Sequence, residues 1–70
     1  MKFNEKLLEL RKQKGWSQEE VGEKINVSRQ TISKYESGLS TPEMDKLIEL
    51  AKVFEISIDE LVGEEKNTII

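Results

Sequence analysis

The sequence has no cysteine and no histidine. The first absence excludes disulfides and thiolate metal sites as supports for the fold. The second removes the usual general base and the commonest metal ligand. No apolar run approaches the ~20 residues needed to cross a membrane, and no signal-peptide core is visible near Met1. A cytoplasmic protein without a membrane partner is therefore expected. No stretch alternates apolar and polar residues over a useful length, so no half-buried strand is predicted. There is no internal repeat, no low-complexity segment, no glycine-rich phosphate loop, no metal-ligand cluster and no nucleophile paired with a base. The expectation is a protein that is not an enzyme, with no cofactor, no metal and no evident small-molecule ligand.

What is present is a chain of 70 residues, 36% hydrophobic and 36% charged. That balance suits a small helical domain, in which only ~60% of the unfolded surface is buried. The net charge is −3, but it is unevenly spread. Residues 1–42 carry +2 and residues 43–70 carry −5. An acidic C-terminal half can face away from a polyanion while the more basic half approaches it.

Punctuation along the chain predicts five helices. Phe3, Leu7 and Leu10 recur at helical spacing, with Leu8 widening the stripe, and Gly15 ends this first helix after Lys12 and Lys14. Trp16 follows as a staple against the next helix. Ser17 to Glu20 form a capping box, and Val21 and Ile25 make the buried side. Gly22 lies inside this helix at a cost of ~1 kcal/mol relative to alanine, which predicts the close passage of another helix. Asn26 tolerates positive φ and can make the turn. Val27 and Ser28 repeat the staple and cap, Ile32 and Tyr35 face inward, and Ser37-Gly38 is a stop. Pro42 precedes a fourth helix over about 43–54, with Met44, Leu47, Ile48, Ala51 and Phe54 as its apolar stripe. Ile56 and a second box, Ser57 to Glu60, open a short fifth helix carrying Ile58, Leu61 and Val62, ended by Gly63. Residues 1–63 thus form one all-α domain, and 64–70 a flexible tail ending in Ile69-Ile70.

The stretch from Ser17 to Gly38 carries the functional signal. Two short helices joined by a tight turn leave Arg29, Gln30, Ser33 and Lys34 on one outward side of the second. Arginine bonds guanine at two points and glutamine bonds adenine in the same way, so this set suits base edges in a major groove. Gln18, Ser28, Ser37 and Thr41 lie at helix ends and in the exit loop, where phosphate contacts fix the register. On a lone helix such residues would be a solvated face; their place after a matching turn favours recognition. Trp16 and Tyr35 read as packing residues rather than platforms for bases, and Glu19 and Glu20 as caps rather than a catalytic dyad. Arg11 and Glu36 are charges of opposite sign at positions that packing would make apolar, which predicts a partly buried ion pair.

These residues give the chain its resemblance to lambda-repressor-like helix-turn-helix domains of the Cro/cI, or XRE, family. The resemblance runs from about Phe3 to Gly63 and rests on SQEEVG, VSRQTISKYESG and the loop with Pro42. Within Gln18 to Ser37 it rests on Gly22, Asn26 and Ile32 at the fifth, ninth and fifteenth places. Gly22 departs from the usual alanine and Asn26 from a common glycine. The resemblance implies five α-helices with the third in the major groove, an ion pair between Arg11 and Glu36, and a homodimer on a two-fold double-stranded DNA operator. The expected role is sequence-specific DNA binding by a transcriptional regulator, in the first place a repressor. The alternatives are an antitoxin-like autoregulator or a protein-interaction module on the same scaffold.

Overall fold

The computed structural model describes residues 2–62. They form five helices: α1 (Phe3–Lys14), α2 (Gln18–Lys24), α3 (Arg29–Ser37), α4 (Met44–Phe54) and α5 (Ile58–Val62). The expected end at Gly63 and the tail 64–70 lie outside the described residues.

Local chemistry sets the boundaries. Ser17 Oγ accepts from the Glu20 backbone N–H at 3.0 Å, and the Glu20 carboxylate accepts from the Ser17 N–H at 2.7 Å. Each satisfies a donor that the first turn of a helix leaves orphaned. Ser28 Oγ accepts from Thr31 N–H at 3.1 Å, and Ser57 Oγ from Glu60 N–H at 3.0 Å. Gly15 and Gly38 close α1 and α3 at φ 74° and 83°, in the left-handed region that lets the last carbonyls be capped. Asn26 takes φ 61° in the α2–α3 turn, as its short polar side chain allows. The end of α4 is a different case: Glu55 adopts φ 59° without being glycine or asparagine.

The core consists of Leu7 and Leu10 from α1, Val21 and Ile25 from the second helical segment, Ile32 and Tyr35 from α3, Leu50, Ala51 and Phe54 from α4, and Leu61 from α5. Phe3, Trp16, Val27, Leu47, Val53, Ile56 and Ile58 pack around it. Helix α3 touches both α1 and α2, while α5 bridges α4 and α1. The outward ridge of α3 is thus backed on its inner side by the whole N-terminal half.

Three expectations need correction or refinement. The buried side of α4 is Leu50, Ala51 and Phe54 with Leu47 alongside, whereas Met44 and Ile48 are exposed and Glu43 is the N-cap. Two overlapping stripes satisfy the helical period here, and the packing of α4 against the rest of the core buries the one that includes Leu50. Gly22 is approached by the turn and the N-cap of α3 rather than by the side of another helix, since the carbonyl oxygen of Ser28 would lie 3.2 Å from a Cβ there. A Cβ there would lie 2.6 Å from the Val27 carbonyl oxygen, so the chain's own turn demands the glycine. Trp16, finally, packs beyond the next helix as well: its ring lies against Phe54 of α4, with centroids 5.5 Å apart and planes tilted by 34°. Helix α2, as expected, also meets the ring, through Lys24, whose ammonium lies 4.4 Å from the indole centroid.

Candidate nucleic-acid interface

Successive residues of a helix are rotated by ~100°, which puts Arg29, Gln30, Ser33, Lys34 and Ser37 within an arc of about 140° on α3. Ile32 and Tyr35 fall on the opposite side and are buried. The arc is correspondingly open: Arg29, Gln30 and Lys34 are exposed, and Ser33 is intermediate. The structure therefore brings the four residues expected to read bases onto one ridge. Among the described residues, no hydrogen bond or ion pair engages the side chain of Arg29, Gln30 or Lys34, so their side-chain donors are unspent.

At the inner edge of this helix the polar chemistry is entirely committed. Glu36 Oε2 accepts from Arg11 Nε at 2.6 Å and Glu36 Oε1 from Arg11 Nη2 at 3.1 Å, a two-point pair. The Arg11 and Glu36 side chains are only 15% and 6% exposed, as expected for a partly buried ion pair. Arg11 Nη1 also donates to the Trp16 carbonyl at 2.9 Å, tying the α1–α2 connection to the same group. Gln18 Nε2 donates to Glu36 Oε1 at 3.0 Å. One carboxylate thus joins α1, the start of α2 and the end of α3.

The residues expected to contact phosphates fall at the ends of α2 and α3 and in the connection that follows. Gln18, of intermediate burial, is the first residue of α2. Ser28 caps α3 and is also within 3.0 Å of Thr31 Oγ1. Ser37 Oγ donates to the Lys34 carbonyl at 3.2 Å. Thr41 is exposed in the connection between α3 and α4. Burial pushes the Tyr35 hydroxyl pKa above its ordinary value, and the charges of Glu43 and Asp45 push it further the same way, so this group stays neutral.

Sequence reasoning missed two contacts that hold the motif. Lys46 Nζ, on α4, donates to the Ile25 carbonyl at 2.9 Å, at the end of α2 and one residue before the turn. Asn4 Nδ2, on α1, donates to the Glu36 carbonyl at 3.4 Å. Both link residues far apart in the chain, and nothing in the local pattern around Asn4 or Lys46 signals the partner.

Comparison with known proteins accords with this geometry. A helix-turn-helix family model matches residues 7–61. The HTH-type transcriptional activator BcrR of Enterococcus faecalis is 49% identical over 70 residues, covering 99% of this chain and 34% of the relative. The cryptic phage CTXphi transcriptional repressor RstR of Vibrio cholerae is 41% identical over 63 residues, covering 90% of this chain and 56% of the relative. The chain therefore spans between a third and somewhat over half of these relatives. Among solved structures, the P22 c2 repressor in complex with a synthetic operator superposes with a TM-score of 0.85 at 27% identity, covering 90% of this chain and 96% of that one. With its five described helices, its turn at Asn26 and its outward ridge on α3, the chain belongs to the Cro/cI-type (XRE) helix-turn-helix family.

Proposed function

We propose that the protein binds double-stranded DNA sequence-specifically and regulates transcription, with α3 (about residues 28–37) in the major groove. The observation that carries this reading is the unengaged ridge of Arg29, Gln30, Ser33 and Lys34, held outward by a helix whose other side is core. Arg29 and Gln30 stand at the first turn of α3, where a groove-bound helix meets base edges. Gln18, Ser28, Ser37 and Thr41 hold the backbone on either side. The alignment with a repressor seen on its operator supports the same docking.

Two copies are expected on a two-fold operator, with half-sites about 34 Å apart. Relatives named activator and repressor both resemble this chain. Repression is the proposed output, because occupancy of a promoter-overlapping site is sufficient for it. Residues 1–63 act as the DNA-binding domain, and no catalytic step is involved. No described helix is long and apolar enough to cross a membrane, and the cytoplasm, where DNA is accessible, is the proposed place of action.

Selection from a random duplex pool, followed by sequencing of the bound fraction, tests the reading directly. A defined site is expected. Affinity for it should fall with salt by ~0.9 log units per log unit for each phosphate neutralised. Isotherms that stay flat at low ionic strength for every duplex offered would overturn the proposal.

A further inference from the structure

Gln18 is proposed to contact the DNA backbone, yet its amide already donates to Glu36 Oε1 at 3.0 Å. A primary amide nitrogen carries two N–H groups that diverge in one plane. One is committed to the carboxylate, so the direction of the other is fixed as well. The carboxylate in turn has little freedom. Arg11 grips both its oxygens, at 2.6 and 3.1 Å, and is itself held by the Trp16 carbonyl at 2.9 Å. With its side chain only 6% exposed, Glu36 has no room to swing into water. Arg11 also balances the negative charge that would otherwise oppose a phosphate nearby.

We infer that Glu36 is a positioning residue for DNA binding: by holding one Nε2–H of Gln18, it aims the second at an incoming phosphate oxygen before the duplex arrives. This extends the role of the Arg11–Glu36 pair from holding α1 against α3 to setting the first contact of α2. Ordering a glutamine side chain on binding is unfavourable, and a side chain ordered in advance avoids that loss. The inference rests on the DNA-binding reading and on Gln18 as a phosphate contact.

The test is a double-mutant cycle on the full chain, using the duplex recovered by selection. Gln18→Met, Glu36→Gln and the double variant are compared with the parent at a temperature where circular dichroism shows each fully folded. Methionine keeps the length of Gln18 and removes its donors. Glutamine at position 36 replaces one oxygen by a donor group, which opposes the N–H of Gln18 or Arg11. Gln18→Met is expected to weaken binding about tenfold, the scale of one hydrogen bond to a charged group. Glu36→Gln should weaken binding several-fold in the parent and leave Gln18→Met unchanged. Equal losses from Glu36→Gln in both backgrounds would overturn the inference, because a purely architectural role does not depend on Gln18. An unchanged affinity for Gln18→Met would overturn it too, while leaving DNA binding intact. Failure of the parent to bind any duplex would instead remove the functional reading.

Should Glu36→Gln not fold, the parent protein decides alone. In a nitrogen–proton spectrum, the two Nε2 protons of Gln18 are separate signals. On titration with the duplex, the proton facing Glu36 should hold its position and the other should move. Movement of both would overturn the inference.

Discussion

The outward ridge and the inner node of α3 are built from polar residues only a few positions apart, and they are treated in opposite ways. Arg29, Gln30 and Lys34 are exposed, and among the described residues nothing bonds their side chains. Glu36, two residues beyond Lys34, accepts three side-chain hydrogen bonds and is nearly closed to water. The contrast teaches how to read a polar helix. Groups satisfied by their own chain hold the fold, because stranding them is costly. Groups left unsatisfied on an ordered ridge are free to be satisfied by a ligand. A substitution on the ridge should therefore change binding without changing stability, and one at the node should change stability first.

The largest expected effect is at the node. Glu36→Ala strands the Arg11 guanidinium and should cost about 3–5 kcal/mol in urea unfolding. Glu19→Ala, at an exposed position in the first turn of α2, should cost less than about 1 kcal/mol. Equal midpoints for the two would erase the distinction between node and surface. On the ridge, Arg29→Ala should cost about 1–3 kcal/mol of binding to the selected site and relax the preference at one base position. Its melting temperature should match the parent's; a substantial loss of stability would mean that the ridge is also structural.

Two smaller effects sharpen the comparison from outside both regions. Gly22→Ala places a methyl 2.6 Å from the Val27 carbonyl oxygen, at the joint between α2 and the turn. Overpacking of this kind costs about 1–3 kcal/mol, and the better helix propensity of alanine returns ~1 of it. A net loss of about 1 kcal/mol is expected by thermal melting. Glu55→Gly should act in the other direction. Releasing a left-handed L-residue gains about 1–2 kcal/mol, less ~0.5–1 for the greater freedom of glycine in the unfolded chain. A gain of about 0.5–1 kcal/mol with an unchanged DNA site is the expected result.

What is legible in the sequence follows the range of the interaction involved. The caps at Ser17 and Ser28, the stops at Gly15 and Gly38 and the turn at Asn26 depend on neighbours within a few residues, and each stands where the pattern puts it. The ridge is legible because helical periodicity alone separates Arg29 and Lys34 from Ile32 and Tyr35. The Arg11–Glu36 pair, 25 residues apart, is legible because each charge stands where packing calls for an apolar group, and opposite signs let the two compensate each other. The phase of α4 is not legible, since Met44, Ile48 and Leu50 are all apolar and only tertiary packing distinguishes them. Nor are the bonds from Lys46 and Asn4, because their acceptors are backbone carbonyls, which every residue offers. Glu55 lacks any sequence mark of the conformation it adopts.

The lone tryptophan has a practical consequence. Its indole lies against Phe54 beneath Lys24, and its backbone carbonyl is bonded by Arg11, so the residue that carries the chromophore touches both α4 and the anchor of the node. Intrinsic fluorescence excited at the indole band therefore reports on this domain without any label. Loosening of either α4 or the node will shift the emission before a helix need melt.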